Sequence, residues 1–274
     1  MKRFNTNEKT ADFIKKYNLF NNDQIQQIQL QHRLDLVSAF EIKEGMRVLE
    51  IGCGQGDTTV ALADAVGSTG HVVAIDIADP DYGAPLTLGQ ATDIIKRSGL
   101  GNQITFHFEM NFAEFEVKET FDVVVLSHSS WYFQQPEHLL TYFQKIKQVA
   151  KRVCFAEWDL DYNNDSQRGH FYAATILALY SSFVTNDGNI QNLFHKTQIQ
   201  ELLVDAGFTI SKKCLVDASY LQDGNWERDY ANSIRSDFNQ SPVKIQTFIN
   251  SYYELMNQPR ERNESLNSIV IIAE

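Results

Sequence analysis

The stretch Val48–Thr59, VLEIGCGQGDTT, decides how this chain is read. An apolar strand ends at Ile51, glycines follow at 52, 54 and 56, and a helix starts near Asp57. Glycines are wanted here because the chain must turn tightly and let a ligand approach the backbone with no Cβ in the way. The free amides at the start of the helix then face that ligand. A dinucleotide fingerprint is spaced GxGxxG, whereas this loop is GxGxG.

Outward from the loop, short apolar runs rich in β-branched residues recur at 46–51 (MRVLEI), 71–76 (HVVAID), 103–109 (QITFHFE), 121–127 (FDVVVLS) and 152–157 (RVCFAE). Segments of helical spacing separate several of them, TTVALADAV after the first and LLTYFQKIKQVA before the fifth. Strands alternating with helices imply parallel pairing and a sheet covered on both faces. After Glu157 the alternation breaks for about forty residues that include HFYAATILALYSSF, then resumes at QELLVDAGF and TISKKCLV. A second break separates that strand from a final one, SIVIIAE. The expected fold is α/β: a doubly wound, mostly parallel seven-stranded sheet with helical insertions forming a cap. Its expected parts are an N-terminal helical segment (1–40), a core (41–160, 196–217 and 267–274) and two helical lid insertions (161–195 and 218–266).

The GxGxG loop, with Glu50 before it and Asp76 closing the second strand, resembles the class I S-adenosylmethionine-dependent methyltransferases. The likeness covers about residues 40–160, 196–217 and the last strand, and includes the phrase QELLVDAGF. It implies that Gly52, Cys53, Gly54 and Gly56 pass beneath the methionine part of the cofactor and that Glu50 approaches its amino group. Asp76 would accept hydrogen bonds from the ribose hydroxyls, with Ile77 beside it as a further contact. Asn111 and Phe112, after the third strand, would contact adenine. Ser127 stands at the carboxyl end of the fourth strand among the cofactor residues. The connection after Asp76, IADPDYGAPLTLGQA, is longer than is usual in the family. The NPPY or DPPY tetrapeptide of enzymes acting on amide or adenine nitrogens is replaced by SHSSWYF, which argues against those acceptors.

His128 stands where such enzymes present a base, and imidazole titrates near pH ~6.5. Glu157 and Asp159 close the fifth strand on the same edge, where α/β sheets gather their ligands. His128 and Glu157 are the catalytic candidates. Trp131, Tyr132, Trp158 and Asp159 are the substrate candidates, since aromatic faces attract a sulfonium or amine. His170 and Tyr172 are weaker substrate candidates. Asp122, at a strand start, is read as structural. No His and Cys spacing resembles a metal site.

The expected reaction is direct displacement, an acceptor atom attacking the sulfonium methyl and leaving S-adenosylhomocysteine. The acceptor is read as a small molecule, because aromatic insertions suit an enclosed pocket. Two other readings stay open: a cofactor-binding regulatory module without turnover, and an NAD-linked oxidoreductase, which GxGxG spacing disfavours. A formal charge of −11 repels a phosphate backbone and argues against nucleic acid. No run approaches the ~18 apolar residues of a membrane span. The N-terminus, MKRFNTNEKTADFIKKYN, lacks an apolar h-region, so the chain is expected to be cytoplasmic. The odd, scattered Cys53, Cys154 and Cys214 are read as buried free thiols. Oligomeric state is left open.

Overall fold

The computed structural model describes residues 7–21, 23–184, 186, 188 and 190–274. Its centre is the strand β1 (Arg47–Ile51), flanked by β2 (His71–Ile75) and β4 (Phe121–Ser127). Next to β2 lies β3 (Ile104–His107), and next to β4 lies β5 (Ala150–Trp158), all parallel. The strand β7 (Ser268–Ala273) runs antiparallel between β5 and β6 (Ile210–Val216), giving the order β3-β2-β1-β4-β5-β7-β6. The expected seven-stranded, mostly parallel sheet is thus present. The third strand is shorter than its apolar run: Glu109 takes a left-handed φ of 52° and gives its N–H to the Ala78 carbonyl. Asp122 accepts the N–H of Arg47 at 2.8 Å, a structural bond as expected.

Alternate side chains go to opposite faces, as a pleated strand requires. Val48, Val72, Val123 and Val125 bury against the helices α1 (Glu8–Tyr17), α2 (Gln24–Ala39) and α3 (Asp57–Val66). Leu49, Val73, Val124 and Leu126 bury against α5 (Glu137–Val149) and α7 (Lys196–Asp205). The helix α4 (Leu88–Lys96), started by a Thr87–Gln90 capping box, sends Ile95 into the first of these layers. Each fully buried Leu or Ile contributes about 1.5–3 kcal/mol, so the two layers together fix the strand register.

A third apolar cluster lies beyond the carboxyl ends of β4 and β5. It joins α6 (Arg168–Phe183), α8 (Asp223–Ser233) and α9 (Val243–Asn257) to Trp131 and Trp158. Gly224 lets α8 approach α6, since a Cβ there would lie 2.9 Å from the His170 ring. The helix α2 belongs to two clusters at once, with Leu30, Leu34 and Val37 on the sheet side and Ile28 among the insertions. It is a wall of the core as well as a cover, and this brings its middle residues, His32 and Arg33, to the edge of the sheet. All three cysteines are free, and Cys53 and Cys154 are buried. Among the described residues no helix is long and apolar enough to cross a membrane.

Candidate active site

The strand order turns back at β1, whose neighbours β2 and β4 lead to opposite ends of the sheet, and a crevice opens at such a switch point. The glycine loop occupies it. Gly52 and Cys53 give their N–H groups to the Ile75 carbonyl at 2.9 and 3.1 Å, which ties the loop to the end of β2. Asp76 completes the brace: its Oδ2 accepts from Gly54 N at 2.8 Å and its Oδ1 from Ala78 N at 2.9 Å. Gly54 has a φ of 51°, where L side chains are strained, and nothing lies within 4 Å of where its Cβ would be. The loop therefore opens onto free space.

Around that space the chain leaves polar groups unspent. Among the described residues, the hydroxyls of Ser127 and Ser129 are buried without a hydrogen-bond partner. Glu50 is 1% exposed and accepts a single hydrogen bond, 2.5 Å from Thr59 Oγ1. Burial pushes its carboxyl up to about 8, against the pull of Thr59 and Arg33. A buried carboxyl with one partner suits an ammonium that restores its charge. Ile77, just beyond Asp76, is 68% exposed at the rim. Asn111 uses its Oδ1 to accept from Tyr142 Oη and Ala113 N, leaving its amide nitrogen for another partner. The Phe112 ring is 1% exposed and packs edge-on to Tyr142 within the core. Cys53 is buried in the loop, where desolvation raises its thiol well above the ordinary value.

Beyond β4 and β5 lies a cavity of about 410 Å³. His128, Trp131, Tyr132, Glu157 and Trp158 line it, so five of the residues singled out from the sequence come together. His128 has a φ of 50°, a strained left-handed turn for a residue with a side chain. Its Nδ1 lies 3.2 Å from Glu157 Oε1 and its Nε2 3.0 Å from Ser268 Oγ. Ser268 Oγ is also 3.0 Å from His32 Nε2, and His32 Nδ1 is 3.3 Å from Arg33 Nη1. A guanidinium only donates and a carboxylate only accepts, so this chain has one consistent order. Arg33 donates to His32, His32 to Ser268, Ser268 to His128, and His128 through Nδ1–H to Glu157. Glu157 also accepts from Ser130 Oγ at 2.7 Å and Trp158 N at 3.1 Å. Burial lowers both imidazoles, His32 well below its ordinary value, so both rings are neutral at pH 7.

Asp159 does not line the cavity. Its Oδ2 pairs with Lys196 at 3.0 Å and its Oδ1 accepts from Asp161 N, so it fixes the turn after β5. Tyr172 packs against Tyr252 away from the cavity. His170 accepts the N–H of Leu266 at Nδ1 and presents Nε2 at 2.6 Å to Glu227 Oε2, behind the cavity wall.

Sequence reasoning missed Arg33 from α2, and although it put 218–266 in the lid it did not single out Asp223, Trp226, Glu227 and Tyr230 of α8, which line the wall. The signal was there, since 223, 226, 227 and 230 fall at i, i+3, i+4 and i+7 and share one helix face. Ser268 carried no local signal. It reaches His128 because β7 runs antiparallel and begins where β5 ends, Trp158 pairing with Ser268.

Residues 23–213 match a family model described as "Methyltransferase domain". A cyclopropane-fatty-acyl-phospholipid synthase-like protein from Lactobacillus casei superposes with a TM-score of 0.88 at 33% identity, covering 97% of this chain and 98% of that one. Methyltransferase phomM of Diaporthe leptostromiformis is 30% identical over 161 residues, 51% of this chain and 42% of its own length, so the chain spans less than half of that curated relative. The ubiquinone/menaquinone biosynthesis C-methyltransferase UbiE of Cellvibrio japonicus is 25% identical over 70% of this chain and 79% of its own length. With a glycine loop, an acid at the end of β1 and another after β2 in the same register, the chain belongs to the class I S-adenosylmethionine-dependent methyltransferases.

Proposed function

We propose that the chain transfers the methyl group of S-adenosylmethionine to a small molecule seated in the 410 Å³ cavity. The observation that carries this reading is the junction of two spaces. Gly52 of the loop abuts Ser129, and the cavity residues His128 and Trp131 follow from the same β4 turn. When bound, the cofactor supplies a sulfonium methyl that needs alignment more than activation.

The chain's own residues divide the work. Asp76 has a free lone pair on each oxygen for the ribose hydroxyls. Glu50 takes the methionine ammonium, and Arg33 the methionine carboxylate; its charge already reaches Glu50, Asp57 and His128. Asn111 offers its amide nitrogen to the adenine edge. The His128–Glu157 pair receives the acceptor's proton. Both His128 nitrogens are engaged, so the proton lands on Glu157 and the imidazole steadies it. Such a base contributes about 10²–10⁴ in rate. The insertions 161–195 and 218–266 act as the lid that excludes water. Similar proteins named for quinone and precorrin acceptors support a small molecule.

The test is the formation of S-adenosylhomocysteine from methyl-labelled cofactor and pooled small metabolites. Label should move into a low-mass product, and Glu157→Gln should slow transfer by about a hundredfold or more with cofactor affinity unchanged. Cofactor binding without transfer to any pool would reduce the chain to a binding module.

A further inference from the structure

We propose that the acceptor is an amine, held as its ammonium among Glu157, Asp223 and Glu227 and methylated on nitrogen; this rests on the methyl-transfer reading above. The argument begins with α8. The helix buries Gly224 and Ala231 against the core. Its neighbouring face, Asp223, Trp226, Glu227 and Tyr230 at i, i+3, i+4 and i+7, borders the cavity instead. Two carboxylates thus stand on the one face of α8 that a bound molecule would meet.

Charge points the same way. The cavity holds three carboxylates against one guanidinium, Arg33, and the His128 ring is neutral. Among the described residues none of the three acids is ion-paired with Lys or Arg. Glu157 has His128 and Ser130, Glu227 has His170, and Asp223 has the Gln29 amide at 2.8 Å. Desolvation raises the Glu227 carboxyl, His170 pulls it back down, and Asp223 and Glu157 push it up again, so the three acids feel one another. Like charges gathered in a partly dry cavity are costly until a cation joins them. A metal ion is a poor answer, because no group of three or more His, Cys, Asp or Glu among the described residues is arranged to hold one. An organic cation fits better, since Trp131, Tyr132, Trp158 and Trp226 offer aromatic faces.

A separate observation refines the ligand. Trp131 is 3% exposed, and among the described residues its indole Nε1–H has no hydrogen-bond partner. A buried donor without an acceptor is costly, and an oxygen on the amine's carbon skeleton would satisfy it. A volume of about 410 Å³ suits a body of one ring and a short chain.

The step balances. The ammonium gives one proton to the Glu157 carboxylate. The freed nitrogen lone pair forms the N–C bond to the methyl carbon while the C–S bond breaks, its electron pair staying on sulfur. The products are a methylammonium, a neutral thioether and a protonated Glu157, which returns its proton to water on opening.

The experiment is titration calorimetry on the full chain saturated with S-adenosylhomocysteine, using tyramine, tyrosol and 4-hydroxyphenylacetate as matched amine, alcohol and acid. Tyramine should bind at least about tenfold more tightly than tyrosol, and the acid should show no binding. Asp223→Asn and Glu227→Gln should each weaken tyramine by about tenfold to a hundredfold and leave S-adenosylhomocysteine affinity, which also reports the fold, unchanged. Equal binding of amine and alcohol, or indifference of tyramine to both substitutions, would overturn the proposal. Methyl transfer to the oxygen of tyrosol in preference to the nitrogen of tyramine would also overturn it while leaving methyl transfer in place. Failure to bind S-adenosylhomocysteine at all would remove the methyl-transfer reading and this proposal with it.

Discussion

Around the glycine loop, the groups come from residues 50–59, Asp76 and the end of β4 with its turn, Ser127 and Ser129, and backbone hydrogen bonds hold the loop to β2 and Asp76. Across the cavity, the groups come from α2, the β4 turn, the end of β5, α8 and the start of β7, and side chains hold one another. The first side leaves hydroxyls and a carboxyl with spare capacity; the second ties His32, Ser268, His128 and Glu157 to one another and keeps the Trp131 indole N–H in reserve. The difference separates two tasks. A common cofactor needs an open cradle that any relative can keep, whereas a particular acceptor needs a shaped wall, and shape comes from cross-bracing.

The sharpest way to break this comparison is at the cradle. Gly54→Val should fold, because nothing lies near that Cβ, yet lose cofactor binding by more than about a hundredfold through a strained φ and a filled cradle. Asp76→Ala should lose about 2–3 kcal/mol of cofactor affinity. Calorimetry with circular dichroism separates the two effects, and cofactor affinity unchanged in both variants would move the cradle elsewhere.

A second test sharpens the claim of spare capacity. Glu50 in the ligand-free protein titrates at about 8 against an ordinary 4.5. Its folded value is raised, so the empty protein gains from a protonated Glu50 at low pH and loses that stability as pH climbs from about 4.5 through about 8. An incoming ammonium reverses the preference. Cofactor binding at pH ~7 should therefore release close to one proton, with affinity rising by up to about tenfold per pH unit between ~6 and ~8. Equal binding heats in phosphate and Tris, or proton release that persists in Glu50→Gln, would count against it.

The smallest effect is expected on the braced side. Ser268→Ala removes the hydroxyl between His32 and His128 and leaves two buried ring nitrogens unpaired, costing about 1–3 kcal/mol of stability. Turnover should fall by about tenfold, with cofactor affinity held and the pH–rate profile displaced. A stability loss with an unmoved pH profile would make Ser268 structural only.

The cradle was legible because its residues are consecutive. VLEIGCGQG and HVVAID each announce a strand and the turn that ends it, and Asp76 follows from the second. Five cavity residues were legible because they sit within a few positions of a strand end. The rest was hidden by distance in the chain. Arg33 lies in an amide-rich helix with no motif around it, and only the packing of that helix on two clusters turns the residue inward. The face of α8 that lines the cavity was hidden because Asp223 and Glu227 stand where an apolar repeat would have marked it. Asp159, one residue past the strand, was read as a ligand group. Lys196, far along the chain, claims it instead.

The antiparallel β7 carries a consequence for assembly. It follows β6 in the chain yet lies between β5 and β6, so those two strands present open edges until it slides in. Its pairing with β5 is long-range and slow to nucleate. Ser268 arrives on that strand, so the hydrogen-bonded path from Arg33 to Glu157 is broken in any partly folded form that lacks β7. The half-made protein would already own its glycine loop but lack the link from His32 through Ser268 to His128, and under the proposed function its turnover becomes a report that the sheet has closed.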